Sequence, residues 1–287
     1  MQVRPVERMK SPAATRVAVI GAGPSGLVTL KHLITAHEFL GVNLVEAVLF
    51  EAVLFEAEDA VGGTFAHRTY EDAEVCDSTT FTCYKMALIG ILTNARVSQQ
   101  LVSSKQLTTF SDFRPRPDDP DFLSTGRYVE YLNDYCTHFK LWDHIKLGSA
   151  VVSVRRRNGP KGGHIISYRS KKSTSPVSSS APAADEPLLE YDCDAIAICS
   201  GLHVTPNVPA IKGIENVPSV LHSADFKTKA QLGVGKTVLI LGSGETGTDL
   251  GYIAVNSPTK RVLLSHRDGF MCPPKGCSSR FVKCDGL

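Results

Sequence analysis

Apolar residues along this chain occur in two patterns, unbroken runs of strand length and stripes at helical spacing, and glycines mark where one gives way to the other. Residues 16–27 hold the first such change, Arg16-Val-Ala-Val-Ile-Gly-Ala-Gly-Pro-Ser-Gly-Leu27. Val17, Val19 and Ile20 predict a strand covered on both faces, and Leu27, Leu30, Leu33 and Ile34 predict the apolar stripe of a helix. A further strand ends Val53-Leu-Phe-Glu56. The same succession returns at Lys236-Thr-Val-Leu-Ile-Leu-Gly-Ser-Gly-Glu-Thr-Gly247, again a buried strand, a glycine turn and a helix, followed by the strand Arg261-Val-Leu-Leu-Ser-His-Arg267. Strand, helix and strand given twice predict an α/β fold.

Between the two units the patterns are shorter. Tyr128, Leu132, Tyr135 and Phe139 form one stripe of a helix over residues 128–139, with Ser124 placed to cap it. Residues 149–154 and 164–168 read as short strands, divided by the turn signals Asn158-Gly159 and Gly162-Gly163. Leu188-Leu-Glu-Tyr191 begins another strand, and Ala195-Ile-Ala-Ile-Cys-Ser-Gly201 reads as a buried strand ending in small residues, after which Pro206-Asn-Val-Pro209 opens an extended linker.

Three stretches break the patterns. Glu46-Ala-Val-Leu-Phe50 is repeated as Glu51-Ala-Val-Leu-Phe55. A five-residue shift exchanges the two faces of a strand, so the sheet can use one copy, and the spacing of Glu56 to Gly62-Gly63 favours the second. Residues 75–100 have no clear periodicity and read either as a retained intron or as a surface loop; residues 170–187 are rich in Ser, Pro and Ala and read as a disordered excursion. The expected organisation is a disordered arm over 1–15, a first nucleotide-binding domain over 16–205, a linker over 206–235 and a partial second nucleotide-binding domain over 236–287.

Composition narrows the class. With 43% hydrophobic and 21% charged residues among 287, a globular protein is expected, and a net charge of +2 gives no reason to expect nucleic acid as a partner. Arg155-Arg-Arg157 reads as a solvated strand end. Residues 1–16 lack the apolar core of a signal peptide, and no apolar run is long enough to span a membrane; Met86 to Leu92 is the candidate and is too short. The eight cysteines, Cys272 and Cys277 included, show no metal-site spacing, so free thiols in the cytoplasm and no metal are expected.

The glycines carry the chemistry. Gly21, Gly23 and Gly26, and again Gly242, Gly244 and Gly247, stand at the spacing that turns a strand into a helix and lets the backbone approach a pyrophosphate. Each helix start directs free N–H groups and its positive end at the anion. The two strand ends differ: Glu56 suits free ribose hydroxyls, whereas the guanidinium of Arg267 suits a 2′-phosphate. Two Rossmann-like dinucleotide-binding domains are therefore expected, the second incomplete.

Glu56-Ala-Glu-Asp-Ala-Val-Gly-Gly-Thr-Phe65, following Gly-Ala-Gly-Pro-Ser-Gly, resembles the flavin-containing monooxygenases of the dimethylaniline monooxygenase kind, with Phe65 where that family usually has Trp. Ser103-Ser-Lys105, Phe110-Ser-Asp-Phe113 and the helix after them resemble the same family in the same order. The resemblance implies FAD held by Gly21, Gly23, Pro24, Ser25, Gly26, Glu56, Gly62, Gly63, Thr64 and Phe65. It implies NADPH held by Gly242, Ser243, Gly244, Glu245, Thr246, Gly247 and Arg267. His222 and Phe226 match half of the family fingerprint, with Asn216 and Pro218 departing from it, and His222 is the candidate for a positioning role near NADP. Val102 stands where many members have Asn.

The implied reaction passes electrons from NADPH to flavin and on to O2, with a flavin hydroperoxide oxygenating an amine nitrogen or a sulfide sulfur of a small-molecule substrate. No side-chain acid or base is required. A ketone-oxygenating (Baeyer-Villiger) monooxygenase, a flavin reductase or NADPH oxidase, and an inactive truncated nucleotide-binding fragment remain as alternatives, since family members continue well past the second site.

Overall fold

A computed structural model describes residues 14–39, 50–68, 70, 101, 103–159, 162–171, 187–202 and 205–267. The sequence features at Val102, at residues 75–100, at Met86 to Leu92 and at Cys272 and Cys277 lie outside them, as do residues 1–13 of the arm and 172–186 of the Ser/Pro/Ala stretch. The chain divides into two compact units, one of residues 1–67 and 129–204, the other of residues 68–128 and 205–287.

The first unit is built on a four-stranded sheet. Strand β1 (Thr15–Ile20) pairs in parallel with β2 (Phe50–Phe55), and β2 with the short β3 (Ile145–Lys146). Strand β7 (Ala195–Ile198) pairs with the other side of β1, giving the order β3-β2-β1-β7. Strand β2 uses the second copy of the tandem repeat, with Val17 opposite Ala52 and Ile20 opposite Phe55. That register puts Ala52, Leu54 and Phe55 inside at 1% exposure or less. Helix α1 (Pro24–Ile34) buries Leu27 and Leu30 completely, each a contribution of about 2 kcal/mol to the fold. The four-residue helix α2 (Ala36–Phe39) follows.

The other layer of this unit is an antiparallel sheet of β4 (Ser149–Arg156), β5 (His164–Ser170) and β6 (Leu188–Cys193). Ile166, Tyr168 and Cys193 from this sheet pack with Ala18 and Phe55 from the parallel sheet. The Phe55 ring lies 4.9 Å from Tyr168 and 5.3 Å from Tyr191. The arginine run at the end of β4 is exposed at Arg155 and Arg156, as expected, and two of its members are also paired. Arg155 reaches Glu190 at 3.0 Å, and Arg157 grips both oxygens of Asp192 at 2.8 Å. Arg16 and Asp194 exchange main-chain bonds across the start of β1: the Arg16 N–H donates to the Asp194 carboxylate at 2.9 Å, and the Asp194 N–H to the Arg16 carbonyl at 2.8 Å.

Strand β7 was expected to be buried and is not: Ile198 is 75% exposed. It is the last strand of the sheet among the described residues; Ile196 packs against the core, whereas Ile198 at its end does not. Helix α5 (Thr125–His138) starts where Ser124 caps it, its Oγ accepting from the Arg127 N–H at 3.1 Å, and it runs three residues earlier than its apolar stripe suggested. Tyr128, Tyr131, Leu132 and Tyr135 are buried along it.

The second unit contains α4 (Lys105–Thr108) and a βαβ of β8 (Thr237–Leu241), α6 (Glu245–Val255) and β9 (Arg261–Ser265). β8 and β9 pair in parallel. β8 too was expected to be buried, but Leu239 and Leu241 are each 57% exposed. The helix lies against the Val238 and Ile240 side, and among the described residues no second layer covers the other. No helix of the described residues is long and apolar enough to cross a membrane.

Candidate functional site

The first glycine turn is fixed by its backbone. Gly21 has φ of 103°, a region closed to most side chains, and its N–H donates to the Phe55 carbonyl at 2.8 Å. This bond ties the turn to the end of β2. Gly26 runs so close beneath it that a Cβ there would lie 1.8 Å from the Gly21 carbonyl oxygen. Gly23 then heads α1 with φ −72° and ψ 178°, and no side chain caps it. Pro24 occupies the first helical position, where its missing N–H costs nothing. Ser25 is exposed beside it and the first turn carries no acid.

Glu56 follows directly on β2 and is buried at 8% exposure. One carboxylate oxygen accepts from the Ala22 N–H at 2.6 Å and the other from the Glu58 N–H at 3.0 Å. A carboxylate has about four acceptor positions, so both oxygens keep capacity for hydroxyl donors. The Gly62 N–H donates to the Ala22 carbonyl at 3.0 Å, which folds the second glycine pair back onto the first turn. A Cβ on Gly63 would come within 3.2 Å of the Gly23 Cα. Thr64 and Phe65 then open the short helix α3 (Thr64–His67) from this cradle. Its narrowness at glycine, uncapped helix start and poised carboxylate fit a dinucleotide.

The second turn repeats the first within the other unit. Gly242 has φ of 110° and donates to the Ser265 carbonyl at 2.9 Å, and Gly244 heads α6 with φ −71° and ψ 179°. A Cβ on Gly247 would lie 2.2 Å from the Gly242 oxygen. Ser243, Glu245 and Thr246 complete the turn, and Glu245 puts an acid into the first helical turn where α1 has Pro24. This backbone also fits a dinucleotide.

Register refines the comparison of strand ends. Ile20 pairs with Phe55 and Leu241 with Ser265, so the residue after Ser265, His266, is the counterpart of Glu56, and Arg267 stands one place further on. Both are exposed. His266 was not singled out from the sequence, because only the pairing of the two strands shows where each one ends.

His222, matched by fingerprint, caps a short turn over Ser223–Asp225: its Nδ1 accepts from the Ala224 N–H at 3.1 Å. Phe226 next to it is buried, its ring 5.7 Å from that of Tyr70. The Tyr70 hydroxyl donates to Asp249 on α6 at 3.3 Å, and burial, with the nearby carboxylate, pushes its pKa up. Lys105, of the Ser103-Ser-Lys105 motif, is buried with its Nζ donating to the carbonyls of Pro117 and Asp119. The Asp119 carboxylate is gripped by Arg127 at 2.7 and 3.0 Å and accepts from the Arg116 N–H at 2.9 Å. These contacts make Lys105 and Asp119 organisers of the loop before α5. Among the described residues no three His, Cys, Asp or Glu side chains are grouped to hold a metal.

Two strand–glycine–helix turns of this geometry define an α/β protein of the dinucleotide-binding class. The family of flavin-binding monooxygenase-like proteins matches residues 14–272, and the chain belongs to that family. It is 47% identical over 267 residues to the monooxygenase cfoE of Aspergillus candidus, covering 93% of this chain and 38% of that protein. With the N-oxide-forming dimethylaniline monooxygenase 2 of Oryctolagus cuniculus it shares 28% identity over 263 residues, 89% of this chain and 40% of that one. The chain thus spans well under half the length of these curated relatives. In fold it is similar to the S-allyl-L-cysteine S-oxygenase of Allium sativum, with a TM-score of 0.64 at 20% identity over 93% of this chain and 54% of that structure.

Proposed function

We propose that the chain carries both nucleotide sites of an FAD- and NADPH-dependent monooxygenase that uses O2 to oxygenate a soft nucleophile, an amine nitrogen or a sulfide sulfur, of a small molecule. The observation that carries this reading is the recurrence of one turn geometry in both units with opposite chemistry at the two strand ends, Glu56 in the first and His266-Arg267 in the second. The names of relatives that form N-oxides and S-oxides support the substrate class.

When bound, the nicotinamide supplies a hydride and the flavin the redox and oxygen chemistry. The chain's own residues bind and orient. Gly21 to Gly26 and Gly62-Gly63 form a narrow cradle for the FAD pyrophosphate, with the N–H groups of Ser25 and Gly26 directed at it. Glu56, already fixed by two main-chain donors, accepts from the ribose hydroxyls. In the second unit Gly242 to Gly247 take the NADPH pyrophosphate and Arg267 the 2′-phosphate. No side chain is asked to move a proton. The proposed setting is the cytoplasm, where the buried thiols of Cys136 and Cys193 stay reduced.

The test is an absorbance spectrum of the purified chain, followed by NADPH in air with assays for oxygenated product and for peroxide. Flavin bands that bleach with NADPH and yield an N- or S-oxide support the proposal. Bleaching with peroxide alone replaces it with a flavin reductase or oxidase, and a colourless protein that takes up no added FAD rejects it.

A further inference from the structure

The two glycine turns agree in backbone to within a few degrees and differ at the first helical residue, Pro24 in α1 and Glu245 in α6. Proline removes one N–H from the first helix end; glutamate keeps it and adds an exposed carboxylate. The start of α6 is held in shape, since the Thr248 hydroxyl donates to the carbonyls of both Gly244 and Glu245, at 3.1 and 2.8 Å. A carboxylate in this first turn is attracted by the same partial positive charge that attracts a phosphate. Pyrophosphate and Glu245 therefore compete for one helix end, and when both are near it they repel each other.

We propose that Glu245 sets the affinity of the second nucleotide site, weakening the grip of the turn on the nicotinamide dinucleotide so that it exchanges, while the acid-free first turn retains its flavin. The inference rests on the reading of this turn as a nicotinamide site. It follows from two differences on one scaffold. A cofactor kept through every cycle is served by a helix whose own first turn carries no acid, and that is the arrangement at Pro24, the Glu56 carboxylate nearby being committed to the Ala22 and Glu58 N–H groups. One that must leave oxidised and return reduced is served by a turn that already carries its own negative charge, with Arg267 one strand away to restore selectivity for the 2′-phosphate.

The experiment titrates NADP⁺, which binds without turnover, into the flavin-loaded full chain by calorimetry, comparing the unaltered protein with Glu245→Gln and Glu245→Pro. Proline copies the first turn and is well tolerated at this helix position. Both variants are expected to bind NADP⁺ about fivefold more tightly. The difference should shrink as salt rises from about 0.05 to about 0.5 M, because the repulsion is between exposed charges. A merely structural role for Glu245 would not produce that salt dependence. Equal affinity in all three proteins overturns the proposal, and weaker binding in both variants overturns it by making Glu245 a hydrogen-bonding ligand of the cofactor. If none of the three binds NADP⁺ while flavin is retained, the nicotinamide reading fails and takes the inference with it. NADP⁺ binding that appears only in the variants supports the inference.

Discussion

The first and second βαβ units have the same turn in different surroundings. Ala18 and Ile20 of β1 correspond by position to Leu239 and Leu241 of β8. The first pair packs against Phe55, Ile166 and Tyr168, whereas both leucines of the second are more than half exposed. A Cβ on Gly21 would strike the Cys199 carbonyl oxygen at 2.5 Å, and one on Gly242 would meet nothing within 4 Å. Even so, the two glycines adopt φ of 103° and 110°, and each is bonded to the end of its neighbouring strand. The turn's shape is therefore set locally, by the absence of Cβ and one main-chain hydrogen bond. Burial contributes stability to the unit without shaping the turn.

The strongest way to break the comparison is at the glycines where helix and turn touch. Gly26→Ala places a Cβ against backbone that cannot yield, and Gly247→Ala does the same in the second unit. Each should cost about 3 kcal/mol or more of its own unit's stability. Thermal melts followed by flavin absorbance should show Gly26→Ala losing flavin, while Gly247→Ala keeps flavin and loses NADP⁺ binding. Loss of flavin in both variants would mean that the turns are not independent.

Next in size is the strand end. Glu56→Ala strands the buried N–H of Ala22 and the half-buried N–H of Glu58, so about 1–3 kcal/mol and the flavin should go together. Arg267→Gln, at an exposed position, should leave the melting temperature within a degree or so and lower the preference for NADPH over NADH about tenfold. A companion variant, His266→Gln, shows which of the two adjacent residues reads the phosphate.

The sequence was most legible where sterics act over a few residues. The glycine turns, the Ser124 cap, the hairpin between β4 and β5 and the choice of the second tandem copy all follow from local pattern, and the structure has each of them. Burial of β7 and β8 was misread because an unbroken apolar run states what a strand can bury against, not whether a covering layer is there. His266 escaped notice because the end of a parallel strand is defined by its partner's register. Arg155 and Arg156 are exposed as the strand end suggests, while the grip of Arg157 on Asp192 was not legible because Asp192 comes to it from a strand far along the chain.

Packing faces give a smaller contrast. Ala18→Leu must force three extra carbons into a site with no exposure and should cost about 1–3 kcal/mol. Leu239→Ser, at the matching place on β8, should change stability by no more than about 0.5 kcal/mol and should raise solubility, which a precipitation assay can follow. A large loss with Leu239→Ser would mean that this face is covered after all.

The smallest effect is expected in acid, where, among the described residues, each unit holds one carboxyl below its usual range. Burial alone would push the Asp119 carboxyl up, but the Arg127 guanidinium and the Arg116 N–H together outweigh it and hold it down. Asp194 in the first unit is lowered chiefly by the Arg16 N–H, then by Arg157. For both groups the folded value lies below the unfolded one, near about 3.9. Their stabilisation is therefore complete above roughly pH 5, declines below the unfolded value and is lost as pH falls through the lower, folded values. Asp119→Asn should flatten that acid limb for the second unit and Asp194→Asn for the first. The largely buried, doubly gripped Asp119 side chain should move its midpoint further than the exposed Asp194, whose pairs water screens. Equal shifts in acid titrations followed by circular dichroism would mean that burial does not distinguish the two carboxylates.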